Sequence, residues 1–123
     1  MKNKSLGARG EALALAHLER EGYQILERNY TCPSGEIDII AQSPQGLVFV
    51  EVKTRVNKKY GLAREAVHRA KRGHIARTAL YYMQEKAYFY CNGRFDVIEV
   101  YLSGPQEDLV HIENAFDLND LEG

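Results

Sequence analysis

The stretch Leu47–Lys53 constrains the fold of this chain more than any other part of the sequence. It reads Leu-Val-Phe-Val-Glu-Val-Lys, with apolar side chains at odd and even positions alike. A strand that is apolar on both sides must be covered on both sides, as at the centre of an α/β sheet. Because alternate residues of a strand point to the same side, one face begins apolar and ends charged: Leu47, Phe49, Glu51 and Lys53.

Turn signals and apolar periodicity divide the rest of the chain into helices and strands. Ser5 is expected to cap a helix over residues 6–21 that stops at Gly22. A second, long helix is predicted over residues 62–83, with an interruption near Gly73. Strands are predicted over residues 23–30, 36–41, 47–53, 94–102 and 109–116.

The element order αβββαββ predicts an α/β fold in which helices flank a mixed central β-sheet. A length of 123 residues fits one domain, residues 1–123, with a single core. The longest apolar run, Leu47–Val50, is far shorter than the roughly 20 residues of a membrane-spanning helix. The basic N-terminus lacks the apolar segment of a secretory signal, so we expect no membrane partner and a cytoplasmic location.

The strand before Leu47–Lys53 carries two more acidic residues. Glu36 and Asp38 are two apart and are predicted to share one face, opposite to Ile37 and Ile39. A short turn joins the two strands, so antiparallel pairing would place Asp38 close to Glu51.

Two convergent carboxylates and a lysine suit one kind of chemistry. Asp38 and Glu51 offer the oxygen ligands that Mg²⁺, or Mn²⁺ in its place, prefers. Lys53 would orient a water molecule and stabilise charge on a phosphate under attack. The set therefore predicts metal-assisted phosphodiester hydrolysis, although Glu-x-Lys alone also fits an ordinary surface ion pair.

The charge of the chain is segregated. The formal net charge is −1, yet basic residues dominate from Lys53 to Arg77, and no Lys or Arg follows Arg94. The segment includes a polar, basic loop predicted over residues 54–60. Either a nucleic acid binds this segment or it is a solvated basic surface. The predicted phosphate contacts are Arg55, Lys58, Lys59, Lys71 and Arg72.

Several of these residues lie in motifs that resemble a known family. The segments Gly35–Ala41 and Val48–Arg55 resemble the PD-(D/E)xK signature of the restriction-endonuclease-like superfamily. The whole chain is similar to the YraN-like family of small bacterial endonuclease-like proteins, which is related in fold to archaeal Holliday-junction resolvases. The other matching segments are Gly7–Glu11, Glu65–Val67 with Lys71, Arg94–Ile98 and Asn114–Phe116.

The resemblance implies a restriction-endonuclease-like fold and a role for each motif residue. Asp38 and Glu51 would be metal ligands, and Lys53 the catalytic lysine. Glu11 would add a further carboxylate to the metal or its waters, whereas without the resemblance it reads as an exposed helix residue. Glu36 is either a supporting group behind Asp38 or an exposed side chain.

These features favour a Mg²⁺-dependent endonuclease that acts on structured or branched DNA. Two alternatives stay open: a non-catalytic nucleic-acid-binding module on the same fold, and an endonuclease that acts on RNA. A homodimer would suit a symmetric junction, and the sequence leaves that assembly open.

The remaining chemistry-bearing residues are predicted to be structural. Cys32 and Cys91 are expected to be free thiols, and Arg94 and Asp96 an ion pair. The histidines are scattered along the chain, which argues against a histidine metal site: His17, His68, His74 and His111. An aromatic group is predicted to pack against the sheet or a partner subunit rather than to stack on bases: Tyr81, Tyr82, Tyr88, Phe89 and Tyr90.

Overall fold

A computed structural model describes residues 5–56, 69–88, 93–102 and 107–116. The elements are α1 (Leu6–Arg20), β1 (Gln24–Cys32), β2 (Gly35–Ser43), β3 (Gly46–Arg55), α2 (Arg69–Glu85), β4 (Gly93–Tyr101) and β5 (Asp108–Phe116). The predicted order αβββαββ is confirmed.

The strands form one five-stranded sheet in the order β1-β2-β3-β4-β5. β3 and β4 are parallel, whereas the other neighbours are antiparallel. The parallel pair follows from the long connection through α2, because parallel neighbours need a crossover and antiparallel ones only a turn. The sheet is therefore mixed, with β3 at its centre, as predicted.

Within the described ranges, each face of the sheet carries one helix and one apolar cluster. On the α2 side, Phe49 packs with Ile75, Ala79 and Tyr82. On the α1 side, Val48 and Val50 pack with Ala14 and Leu18. The predicted alternation of β3 is thereby confirmed, and each fully buried large side chain stabilises the fold by about 1.5–3 kcal/mol.

Both ends of α1 follow the sequence signals. The Ser5 hydroxyl accepts a hydrogen bond from the Ala8 N–H at 3.1 Å. At the other end Gly22 has φ +89°, a left-handed conformation that glycine adopts without strain. There the Tyr23 N–H reaches the Leu18 carbonyl at 2.9 Å, which closes the last turn of the helix.

Two predicted details are wrong. α2 runs through Gly73 without a break, because the buried Ile75 and Ala79 hold it against the sheet and outweigh the roughly 1 kcal/mol helix penalty of glycine. β3 continues to Arg55, where a loop was predicted, because Thr54 and Arg55 pair with the end of β4. Residues 62–68 of the predicted helix lie outside the described residues.

We expect Gly10→Ala to destabilise the fold although alanine favours helix. A Cβ on Gly10 would overlap Oγ1 of Thr54 and lie 3.1 Å from its Cβ, so α1 and β3 would have to separate. The free energy of unfolding in urea should fall by about 1–3 kcal/mol.

Gly7→Ala is the matched control, because a Cβ there meets nothing within 4 Å. It should leave stability unchanged or raise it by up to about 1 kcal/mol. Thr54→Ala should recover most of the loss caused by Gly10→Ala. Equal effects of the two glycine substitutions would contradict this contact between α1 and β3.

Candidate active site

The site lies where β2 and β3 separate. The last paired residues of these strands on this side are Ile39 and Val50. Beyond them, the Val52 N–H donates to Oδ2 of Asp38 at 2.8 Å instead of to a backbone carbonyl of β2. The carboxylate of Asp38 thus occupies the opening between the two strands.

The separation also alters the predicted alternation of β2. Ile39 packs on the α1 side, but Ile37 packs on the α2 side. The prediction that both share one face is therefore wrong. The reason is that β2 follows β1 alone beyond Ile39, since Ile37 still pairs with Tyr30 of β1.

Glu51 is the most heavily contacted acid of the site. Its side chain is only 7% exposed, and Oε1 accepts a hydrogen bond from the Lys71 ammonium at 2.7 Å. Lys53 Nζ lies 3.7 Å from the same oxygen. One carboxylate oxygen therefore faces two ammonium groups, one from β3 and one from α2.

Asp38 is held in an environment that disfavours its charge. Burial, followed by the negative charges of Glu51 and Glu11, raises the pKa of Asp38 to about 6, against the effects of the Val52 N–H and Lys71. Glu11 lies on α1 and Lys71 on α2, so Asp38 senses charges from both faces of the sheet. Within the described residues, Oε1 of Glu11 is buried without a hydrogen-bond partner.

The two lysines respond differently to this environment. Burial lowers the pKa of Lys53, and the positive charges of Lys71 and Arg55 lower it further, against the effect of Glu51. Burial is the largest single effect on Lys71 and acts against its charge, but the hydrogen bond and charge of Glu51, with smaller contributions from Lys53 and Asp38, together raise the pKa of Lys71. Lys71 is thus the lysine that neutralises Glu51.

The residues present fit a hard divalent cation by their chemistry. Asp38, Glu51 and Glu11 are mutually repulsive carboxylates, and one of their buried oxygens has no partner. As these side chains stand, no three His, Cys, Asp or Glu residues in the described ranges are arranged to hold a metal ion together. Lys71 already binds one of the two carboxylate oxygens of Glu51.

The other predicted site residues that the structure describes are Glu36, Arg55 and Arg72, and each has a neighbour other than Asp38 and Glu51. Glu36 is exposed and pairs with Thr31 of β1, so its role stays a prediction. Arg55 Nε lies 3.6 Å from Glu99, and the Arg72 guanidinium lies 5.4 Å from the centre of the Phe116 ring. Lys58 and Lys59 lie outside the described residues.

Glu99 is a buried carboxylate near the site that was not predicted from the sequence. It lies beside Lys53 in the parallel register of β3 and β4, and it is 1% exposed. Oε1 accepts a hydrogen bond from the Tyr101 hydroxyl, whereas Oε2 has no partner among the described residues. An acid inside the apolar stretch Val97–Val100 was the available signal.

A second polar cluster lies away from the site, around the fully buried Asp96. Arg94 binds Asp96 at 2.8 Å, so the predicted ion pair is confirmed. His111 Nε2 lies 2.7 Å from Asp96, and His111 Nδ1 lies 3.0 Å from His17 Nε2. The histidines are therefore not all scattered, because β5 and α1 bring His17 and His111 together.

The aromatic prediction is confirmed for two residues. Tyr82 is 2% exposed and packs against Phe49 and Tyr30, and Tyr88 stacks on Tyr82 at the edge of the same core. Tyr81 is 43% exposed, while Phe89 and Tyr90 lie outside the described residues. Cys32 is a free thiol, as predicted, and Cys91 is also outside the described ranges.

The fold and the site define an α/β protein whose mixed sheet opens around a cluster of acids and lysines. The chain belongs to UPF0102, described as "Uncharacterised protein family UPF0102", whose model matches residues 10–100. This confirms the YraN-like resemblance. A UPF0102 protein of Geobacter metallireducens is 46% identical over 96% of this chain and 97% of its own length.

Solved structures match more distantly. The chain of the EndoMS–dsDNA2 complex is 14% identical with a TM-score of 0.42, and the match covers 77% of this chain and 36% of that one. SfsA of Pyrococcus furiosus in complex with Ca²⁺ is 14% identical with a TM-score of 0.39, over 86% and 63% of the two chains. These similarities say nothing about the activity of the present chain. Within the described residues, no helix is long and apolar enough to cross a membrane.

We expect Asp38→Asn to change how stability depends on pH. The pKa of Asp38 is about 6 in the folded protein against an ordinary 3.8, so the folded state binds this proton more tightly than the unfolded chain. The contribution of Asp38 to the free energy of unfolding is fully present below about pH 4 and is lost as the pH rises through 6. Asparagine keeps an acceptor for Val52 and removes the penalty, so the variant should gain about 1–3 kcal/mol over wild type above pH 7.

The measurement is urea unfolding of both proteins between pH 4 and 8. Glu36→Gln is the matched control, because it removes an exposed carboxylate from the same strand. A difference between Asp38→Asn and wild type that stays constant over this pH range would contradict the raised pKa.

Proposed function

We propose that this chain is an endonuclease that hydrolyses phosphodiester bonds with a divalent metal ion, Mg²⁺ or Mn²⁺. One observation carries the proposal. The carboxylates of Asp38 and Glu51, from two separating strands, lie with Glu11 and Lys53 in one charged, half-buried centre. A purely structural ion pair would not require two further acids, Glu51 and Glu11, whose charges raise the pKa of Asp38.

The acids would hold the metal, and Asp38, Glu51 and Glu11 are the proposed ligands. When bound there, the ion supplies a more acidic water and positive charge beside the phosphate. These ligands lie where β2 and β3 stop pairing, and the apolar clusters on the two faces of the sheet keep their surroundings rigid.

Lys53 would act on the reacting groups directly. It lies at the end of the central strand, 3.7 Å from Glu51, and burial lowers its pKa. From there its ammonium would orient the attacking water and hold a phosphate oxygen. As the water oxygen bonds to phosphorus, the water gives up a proton to solvent or to a neighbouring carboxylate, the bond to the leaving oxygen breaks, and the leaving oxygen takes up a proton from solvent or from a neighbouring acid.

The proposed substrate is nucleic acid, with structured or branched DNA as the first candidate class. The support is the basic segment that begins at Lys53 and the similarity of the motifs to those of resolvase-like nucleases. Arg55, Lys71 and Arg72 are the described candidates for phosphate contacts. A homodimer stays a prediction.

Cleavage of a substrate panel tests the proposal. A four-way junction, a flap, a duplex, a single strand and a structured RNA would be incubated with Mg²⁺ or Mn²⁺. We expect the branched DNA to be cut by wild type, and Glu51→Gln and Lys53→Met to lower the rate by about 100-fold or more, because each removes a group that acts on the transition state.

Glu19→Gln is the control, since it removes an exposed glutamate from the far part of α1. It should cut at the wild-type rate. If no substrate is cut while wild type and both site variants bind DNA equally well, the protein is a binding module instead. Cleavage confined to the RNA would assign it to the RNA-directed class.

A further inference from the structure

Lys71 makes the closest contact to the proposed metal ligands. Its ammonium lies 2.7 Å from Oε1 of Glu51, against 3.7 Å for Lys53 and the same oxygen. Glu51 is 7% exposed, and a carboxylate so deeply placed requires a positive charge beside it. Lys71 supplies that charge in the metal-free protein.

The position of Lys71 also allows it to leave. Its side chain is 45% exposed, whereas that of Lys53 is 23% exposed. α2 is fixed to the sheet by the buried residues Ile75, Ala79 and Tyr82, further along the helix. A rotation of the Lys71 side chain therefore changes no core contact.

A divalent cation bound at the site would compete with the Lys71 ammonium for the Glu51 carboxylate. Lys71 binds Oε1 of Glu51 at short range, and a cation held by the same carboxylate would be repelled strongly by that ammonium in a half-buried site. Lys53 lies a whole ångström further from this oxygen. Metal binding would thus displace Lys71 rather than Lys53, and the displaced ammonium would lie at the mouth of the site, where a phosphate approaches.

We propose that Lys71 exchanges between two partners: it neutralises Glu51 in the metal-free protein and binds a backbone phosphate of the nucleic acid once a metal has taken its place. This rests on the proposed function. It assigns the site an order of events, since the metal frees the lysine that then binds the substrate. It also predicts opposite effects of one substitution, which a merely structural ion pair would not produce.

Lys71→Met keeps the aliphatic side chain and removes the charge. Mn²⁺ binding, measured by calorimetry without nucleic acid, should become about fivefold tighter, because the competitor is gone. Binding of a four-way junction with Mn²⁺ present, measured by fluorescence anisotropy in a Lys53→Met background, should become about fivefold weaker, because a phosphate contact is lost.

Two further variants sharpen the comparison. Lys86→Met removes an exposed lysine just beyond the other end of α2 and should change neither affinity. Lys71→Arg keeps the charge and should restore both affinities to near the wild-type values. If melting in EDTA shows that Lys71→Met is folded at the temperature of the binding measurements, and both affinity shifts are present, the effects belong to the site and not to folding.

The outcomes separate this inference from the proposed function. If wild type and Lys71→Met bind Mn²⁺ equally well, the exchange is wrong while the metal site stands. If the metal binds more tightly but the junction affinity is unchanged, Lys71 does not contact phosphate and the inference fails. If neither protein binds Mn²⁺, both proposals fail. Binding by Lys71→Met alone would support the exchange in its strongest form.

Discussion

The site depends on one hydrogen bond, which takes the place of backbone pairing where β2 and β3 separate. The residues of β2 that precede Ile39 do not pair with β3. The Val52 N–H of β3, which would otherwise lack a partner on that side, donates to Asp38 instead. A buried backbone donor without a partner would cost about 1–3 kcal/mol, so the carboxylate stabilises the opening that it lines. β2 and β3 can therefore separate while each stays paired with its other neighbour, β1 or β4. Charged side chains from both faces of the sheet meet at this opening.

The charges at this opening balance only in part. Three acids, Asp38, Glu51 and Glu11, face two lysines, Lys53 and Lys71, and burial is the largest cause of the raised pKa of Asp38 and the lowered pKa of Lys53. A structural pair would be expected to favour the charged form of both partners. Here the charged form of Asp38 is disfavoured and an oxygen of Glu11 has no hydrogen-bond partner among the described residues, and both features support the proposal that the site binds an additional cation.

Local patterns in the sequence were sufficient to predict the order of the helices and strands, but not the contacts between elements that are distant along the chain. The alternation in Leu47–Lys53 predicted which residues of β3 face each helix, since a strand has a fixed period of two. The change of face between Ile37 and Ile39 and the contact between Lys71 and Glu51 depend on how β2 and α2 approach β3, and no spacing within one element encodes that. The apolar stretch Val97–Val100 indicated that Glu99 is buried, but its position beside Lys53 could not be predicted, because Lys53 lies on another strand.

The most direct measurement of the central claim is anomalous diffraction from crystals soaked in Mn²⁺. The account predicts a peak at the opening between β2 and β3, with oxygens of Asp38 and Glu51 within about 2.3 Å, and Lys71 turned away from Glu51. The contrary result is an opening without a peak, in which Lys71 still binds Glu51 while Mn²⁺ lies elsewhere, such as between His17 and His111. In that case the acids and lysines would form a structural network and not a metal centre.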